Sequence, residues 1–493
     1  MTVAPIDENK PQRPPVEAQA MMVEEPRVRS SRSSVVAAII GASLLMQTLN
    51  ATVLSNALPT MARALDVEPL RLNLAITAYM LAAAVFLPVS GWLADRYGAK
   101  KVFLVAIAAY ALTSALCGAA QDLTQLVGAR LLQGMAGAMM MPVGRLVLLR
   151  TTPKNEIVQA MAVLTMPALL GPVLGPPIGG FIVTFSSWRW IFLINLPIAV
   201  LGLFLVSRFV PNVKEEEPQK FDALGLILTG VGLAVLIFGF ENIGRDELPA
   251  GVTAALFLAA FASFGLYWLH WKRNANAILD LSLFRIQTFT ASVVGGGFMR
   301  IAMGATPFML ALLLQIGFGL SALQAGLLTF TSAVGALVMK TTAPPILRRF
   351  GFKNTLLVNA VIVGATFAAY ALFTAQTPHW LLILVLLTSG FFRSLQFTSL
   401  NGLAYADIDQ PQMSRATTMS SMAQQLVQSI GIGVAATLIH MFMVMRGDDH
   451  LTVGAISPAF AVIGAITLIS ILFFLPLPAN AGDELQDRPR RRG

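Results

Sequence analysis

Charge is scarce in this chain. Of 493 residues, 34 are Lys or Arg and 25 are Asp or Glu, together 12%. A soluble domain carries about 25% charged residues. With 56% hydrophobic residues and 39 glycines, there are too few charges to coat a soluble protein of this length. There is also too much apolar surface to bury inside one. A soluble enzyme, a disordered chain and a secreted disulfide scaffold are excluded. Cysteine is nearly absent: Cys117 stands alone and cannot pair within the chain. His270, His379, His440 and His450 are too scattered for a metal site. No Gly-x-x-x-x-Gly-Lys-[Ser/Thr] loop occurs to cradle ATP, and no Gly-x-Ser-x-Gly elbow occurs to carry a nucleophile. The expectation is no cofactor, no metal and no catalytic group.

The apolar residues are clustered. Val35–Ala62, Ile157–Trp188, Ile301–Met339, Thr355–Phe392, Ala416–Met445 and Leu451–Gly482 carry no charged residue. A helix crosses the hydrocarbon core with about 20 apolar residues, so the longest of these stretches can hold two crossings. Transmembrane strands alternate over about 10 residues, and nothing here alternates. The sequence therefore predicts an all-α integral membrane protein. Helices are expected near 35–58, 72–93, 102–120, 125–148, 157–184, 189–209, 222–241 and 249–270. Six more are expected near 287–316, 322–343, 354–374, 379–404, 416–443 and 456–476, which makes fourteen.

The few charges report orientation. Cytoplasmic loops are enriched in Lys and Arg. With both termini inside, the inner segments collect most of them, from Arg27, Arg29 and Arg32 through Arg96, Lys100 and Lys101 to Arg348, Arg349 and Lys353. The tail adds Arg488, Arg490, Arg491 and Arg492, whereas the outer loops hold only Arg63, Arg71, Arg189, Arg245 and Arg446. An omitted crossing would reverse the bias downstream, so an even count follows. The formal charge of +9 is thus read as topology and attraction to anionic headgroups, not as nucleic-acid binding. Residues 1–34, rich in Pro and charge, read as a disordered cytoplasmic tail, and 477–493 as a basic one.

A repeat runs through the chain. Arg96-Tyr97-Gly98-Ala99-Lys100 recurs as Arg349-Phe350-Gly351-Phe352-Lys353, 253 residues on. Arg130-x-x-Gln133 recurs as Arg393-x-x-Gln396, each in the second helix after its loop. This ordering suggests duplicated six-helix halves, 35–209 and 272–476, with an inserted pair of helices in 210–271. Transporters are commonly built from such repeats, with the substrate site near midplane between them.

Four ordered motifs carry a family resemblance. Gly91 to Lys101 match the loop signature between helices two and three of the major facilitator superfamily. Arg130-x-x-Gln133-Gly134-x-x-Gly137 match its helix-four signature. Gly171-Pro172-Val-Leu-Gly175-Pro176-Pro177-Ile-Gly179-Gly180 match the helix-five antiporter motif. Trp188 to Pro197 match the opening of helix six in the fourteen-span drug/proton antiporter branch, which this chain resembles over about residues 35–476. The resemblance implies a major facilitator fold: two six-helix bundles, an inserted pair, and alternating access. It also implies that Asp95 caps a neighbouring helix and latches the outward-facing state, in a gate of Gly91, Asp95, Arg96, Gly98 and Lys100.

The residues suggest roles of their own. Gly91 is expected to let two helices approach closely. Pro kinks a helix and Gly permits close contact in lipid, so Gly171, Pro172, Gly175, Pro176 and Gly179 are expected to form a hinge, or a packing seam alone. Polar residues in a span are costly and are functional candidates. Arg130, Arg300 and Arg393 fall in predicted spans, with Gln47, Asn50, Gln133, Gln396, Asn401, Gln424, Gln425 and Gln428. Arg130 and Arg393 can instead be structural, and each Gln can be an interhelical hydrogen bond. Arg300, without a repeat partner, is the expected substrate contact.

One departure stands out. The branch usually opens helix one with Leu-Asp-x-Thr-Ile-Val-Asn, and this chain reads Leu49-Asn50-Ala51-Thr52-Val53. Asn50 cannot exchange a proton. Asp95, Asp222, Glu241 and Asp407 all lie near predicted helix ends, so no acid sits at midplane. Interior arginines without such an acid predict a positive cavity. The expected function is efflux of small amphipathic organic compounds across the bacterial inner (plasma) membrane, driven by an ion gradient, with protons as the candidate ion. The alternative is uptake or facilitated passage of a neutral or anionic metabolite such as a flavin-type vitamin (riboflavin). A non-transporting membrane sensor is the remote third.

Overall fold

The computed structural model describes residues 32–151, 157–210, 221–243, 249–274, 277–409 and 412–482. Of the tails expected at 1–34 and 477–493, residues 1–31 and 483–493 lie outside the described residues, whereas Leu477 and Ala481 are buried in the core and do not belong to a tail. Residues 32–34 are already helical, so the first helix begins before the apolar stretch does.

Among the described residues every regular element is a helix. Lipid offers no partner to backbone N–H and C=O groups, so each crossing must satisfy its own. The helices are α1 Arg32–Ala64, α2 Asn73–Tyr97, α3 Ala99–Ala119, α4 Leu123–Thr151 and α5 Ile157–Phe185. Next come α6 Trp190–Phe209, α7 Ala223–Ile243, α8 Ala250–Arg273 and α9 Gln287–Gly317. The hydrogen-bonded run Ala322–Ala371 is divided by non-helical Gly351 into α10 (322–350) and α11 (352–371). Then follow α12 His379–Leu403, α13 Met413–Arg446 and α14 Val453–Phe474.

Among the described residues, twelve helices are long and apolar enough to cross a membrane, with Ala322–Ala371 taken as one; α5 adds the shorter apolar stretch Val173–Phe185. Several helices outrun their apolar segments. Pro59 sits inside α1, which continues to Ala64, where Arg63 Nε donates to Pro59 O at 3.3 Å. A cation in the last turn complements the helix dipole.

The two ends of the chain pack by the same plan. In the first half α1 lies on α5, α2 on α4, and α6 on both α1 and α3. In the second half α9 lies on α13, α10 on α12, and α14 on α9 and α11. The repeat extends to backbone angles. Gly98 ends α2 at φ 94, ψ 132, and Gly351 ends α10 at φ 75, ψ 167. Side chains avoid this region, so glycine is the residue that fits both turns.

The inserted pair is tied down at its base. Asp222 caps α7 by accepting Gly225 N–H at 2.9 Å, and its other oxygen accepts Ile278 N–H at 3.0 Å. His270 Nε2, at the end of α8, lies 2.7 Å from Asp222 Oδ1. The Tyr267 hydroxyl donates to Leu279 O and accepts from Leu279 N–H, both at 2.8 Å. Leu233 and Ile237 of α7 share a small core with Ala84 of α2 and Met422 and Leu426 of α13, so the pair touches both halves.

Candidate functional site

The α2–α3 turn sets the candidate gate. Gly98 N–H donates to Ala94 O and closes α2. Arg96 lies over the rings of Trp92 and Tyr97, at 5.4 and 5.8 Å. Lys100 Nζ reaches Ser207 O, at the carboxyl end of α6, at 2.7 Å. Asp95 is half-buried in the last turn of α2 and is engaged rather than free. Gly91 departs from expectation: a Cβ there would meet nothing within 4 Å, so it does not sit at a close helix approach. It faces open space in this conformation.

The glycines of α5 form a seam against α1. A Cβ on Gly171 would strike the Thr48 hydroxyl, and one on Gly175 the Thr52 hydroxyl. One on Gly179 would lie 2.8 Å from Val53 O. The bared carbonyls are used: Thr52 Oγ1 donates to Gly171 O at 3.1 Å, and Asn56 Nδ2 to Pro176 O at 3.0 Å. Pro172 falls in the helix, but its side chain lies outside the described residues. The helix is uninterrupted through the motif, so in this conformation the motif is a packing seam.

The seam continues across the halves. Cβ atoms on Gly180 and Gly326 would strike Ala322 O and Pro176 O, which brings α5 and α10 into backbone contact. Gln315 Nε2 of α9 donates to Asn56 O of α1 at 2.9 Å, and Leu323 N–H donates to Thr184 Oγ1 at 3.2 Å. These contacts share one end of the molecule, where α1, α5 and α9 finish and α10 begins. Ser429 Oγ adds a bond from α13 to Thr77 O of α2, at 3.4 Å.

Each half holds a polar clamp. Arg130 on α4 is 1% exposed. Its Nε donates to Ala75 O on α2 at 3.1 Å, and its Nη1 to Gln133 Oε1 at 2.6 Å. The Tyr79 ring lies 4.3 Å from the guanidinium carbon. Gln133 Nε2 donates to Ser114 Oγ on α3 at 2.7 Å, which Asn195 Nδ2 of α6 also reaches, at 3.2 Å. In the second half, Arg393 Nη2 on α12 donates to Ser332 Oγ on α10 at 2.7 Å. Gln396 Oε1 accepts from Asn359 Nδ2 on α11 at 2.7 Å. In both clamps Arg reaches the helix before the loop motif, and Gln the helix after it. Arg393 is only half-buried, and its Nε lacks a partner.

The other expected cavity residues divide. Asn50 is buried and donates to the Tyr110 hydroxyl on α3 at 2.8 Å. Arg300 is also buried. Its Nη1 donates to Ser292 O at 2.7 Å and its Nη2 to Asn401 Oδ1 at 3.2 Å. Ser292 lies in the π-turn Ala291–Gly295, whose wider spacing changes the helix ladder where Arg300 bonds. Asn50, Arg130, Gln133, Arg300 and Gln396 are therefore bonded inside their own halves, not gathered on a shared wall. Of the three expected cavity arginines, Arg300 and Arg393 each keep a buried Nε without a partner. Gln47, Gln424, Gln428 and Arg393 stay half-buried. Two further cations fall within the expected helices 125–148 and 322–343 and were overlooked: Arg145 on α4, whose buried Nε has no partner, and Lys340 on α10, whose Nζ lies 3.4 Å from Thr398 Oγ1. The expectation for acids holds for Asp95, Asp222 and Asp407, which lie at helix ends.

Comparison with known proteins bears on this arrangement directly. The family model described as Major Facilitator Superfamily matches residues 40–432 and again 292–492. The chain belongs to the Major Facilitator Superfamily. Among its relatives, "Putative multidrug resistance protein MdtD" of Pectobacterium carotovorum is 35% identical over 441 residues, 90% of this chain and 93% of that one. The protein of the same name from Salmonella heidelberg is 36% identical over 443 residues, 90% and 92% of the two chains. The crystal structure of a D-xylose-proton symporter superposes with a TM-score of 0.66 at 13% identity, over 91% of this chain and 98% of that one. A POT family transporter in complex with a thioalcohol-conjugated peptide gives 0.65 at 13% identity, over 90% and 95%. This Major Facilitator Superfamily member is a multi-pass membrane transporter of small molecules, not an enzyme.

Proposed function

We propose that the protein exports small amphipathic organic compounds across the bacterial inner membrane by alternating access, with both termini in the cytoplasm. The orientation rests on a count of fourteen crossings, in which α10 and α11 are taken as separate about non-helical Gly351 and α5 is taken as a crossing beside the twelve long apolar helices. The observation that carries the mechanism is the seam joining α1, α5, α9 and α10 at one end, through Asn56, Pro176, Gly180, Gln315 and Gly326. In this topology that end faces outside. Sealing it leaves passage to the cytoplasmic end, and export requires it to part. The halves 35–209 and 272–476 are the rocking bodies, and Gly91, Asp95, Arg96, Gly98 and Lys100 form the gate at the opposite end. Multidrug resistance proteins among the relatives support the efflux direction.

The substrate path is assigned to the half-buried polar groups Gln47, Arg393, Gln424 and Gln428. An ion gradient supplies the energy. Asn50 holds Tyr110 and titrates no proton, so protons, if they are the coupling ion, enter elsewhere. A second reading has one observation in its favour. Arg145, Arg300 and Arg393 each keep a buried Nε without a partner, which suits a neutral or anionic metabolite.

Transport of a compound panel in inside-out and right-side-out vesicles, with and without a pH gradient, tests both readings. Efflux of amphipathic drugs is expected. Uptake confined to an anionic metabolite favours the second reading. Tight binding of lipophilic cations alone contradicts the charge argument. Asn50→Asp is expected to create proton dependence, and strong proton coupling through position 50 of the unaltered chain is not.

A further inference from the structure

A shallow, open groove lies on the surface of the first half between α3 and α6. Its walls are Leu104, Val105 and Ala108 on α3 and Leu203, Phe204 and Ser207 on α6. Val105 and Phe204 are each 63% exposed. The groove runs toward the end where α3 begins and α6 stops. There both walls turn basic. Residues 101, 104, 105 and 108 share one helix face, so the exposed Lys101 extends the α3 wall by a turn. Arg208, also exposed, lies one turn beyond Phe204 on α6. Lys100 spans the head of the groove, with its Nζ 2.7 Å from Ser207 O. The nearest carboxylate in sequence, Asp95, is half-buried and engaged.

An apolar trough with three cations at its mouth matches an acyl chain with a phosphate at its head. Basic pockets between membrane helices take anionic headgroups in this way. We infer that the groove seats one anionic phospholipid, with its chain between α3 and α6 and its phosphate against Lys101, Arg208 and Lys100. The site lies outside the substrate path. Its headgroup abuts the α2–α3 turn of the proposed gate, so a seated lipid braces that turn.

Native mass spectrometry of the full chain in mild detergent, titrated with phosphatidylglycerol or phosphatidylcholine, tests the inference. The unaltered chain is expected to retain phosphatidylglycerol in preference to phosphatidylcholine. Lys101→Ala with Arg208→Ala is expected to cut that preference by about tenfold or more. Ala108→Trp, which fills the trough, is expected to lower retention of both lipids. Arg348→Ala with Arg349→Ala removes equal charge elsewhere and is expected to change nothing. Millimolar inorganic phosphate is expected not to displace the lipid, because it lacks the chain. Thermal unfolding confirms that each variant is folded. The inference is overturned by equal retention of the two lipids, by the Arg348 and Arg349 pair costing as much as the groove pair, or by displacement with free phosphate.

Discussion

The two clamps are built from the same residues and end in different states. Arg130 has a backbone carbonyl, Gln133 and the face of Tyr79 around it, and Gln133 passes the connection on to Ser114 and Asn195. Arg393 has a hydroxyl partner in Ser332, an unpartnered Nε and a half-open environment. A buried polar group is costly unless its bonds are made. The first clamp meets that condition and fixes α2, α3, α4 and α6 together. The second keeps a donor in reserve. The two copies of the motif thus differ: the first is bonded throughout as structure, and the second keeps an unpartnered donor, which is why Arg393 is the one proposed to meet a ligand.

Substitutions at four positions can break or sharpen this contrast. Arg130→Ala is expected to have the largest effect, about 2–3 kcal/mol of stability, because Gln133 and the Ala75 carbonyl lose their donor. Thermal unfolding in detergent measures it. Arg130→Lys is not expected to rescue, since a single ammonium cannot span both partners. Gly175→Ala comes next, at about 1–3 kcal/mol, because the methyl group overlaps the Thr52 hydroxyl. In the same assay Gly91→Ala is expected to leave stability unchanged or raise it by up to about 1 kcal/mol. Arg393→Ala is expected to cost less than about 1 kcal/mol of stability yet lower transport about tenfold or more, read as initial rate in vesicles. If Arg393→Ala destabilises as much as Arg130→Ala, the contrast between the clamps is wrong.

The smallest effect is expected at Asp280, which joins the connector before α9 to Arg415 at 3.3 Å. Burial works to raise its pKa, but hydrogen bonds from Ser282 and the charge of Arg415 outweigh it and hold the carboxyl below its ordinary 3.8. A depressed carboxyl stabilises the fold above that value and loses the contribution as pH falls through it. Arg415→Ala is therefore expected to narrow the stability difference between neutral pH and about pH 3 slightly, since Arg415 is exposed and its charge is screened.

Much of the fold was legible because lipid imposes length and charge imposes sidedness. The helix positions and the inserted pair follow from those two constraints. The repeat of Gly98 and Gly351 was legible as a motif, and the positive φ at both explains why glycine recurs. The site was less legible. Sequence places Arg300 mid-span but does not tell which helix face it occupies, and a π-turn turns it toward Ser292. Asn50 reads as a missing carboxylate, while its contact with Tyr110 depends on how α1 meets α3. Gln315, the bond from α9 to α1, is an unremarkable glutamine in an apolar run until the halves are brought together.

The central claim is that transport requires the α5–α10 seam to part. Thr184→Cys with Leu323→Cys puts one thiol on each side of the contact between the Leu323 backbone N–H and the Thr184 hydroxyl, and the single native Cys117 is buried out of reach. Substrate flux in vesicles should be measured before cross-linking with a short thiol reagent, after it, and after reduction. The account predicts loss of flux on cross-linking and recovery on reduction. Undiminished flux with the seam covalently closed would contradict it.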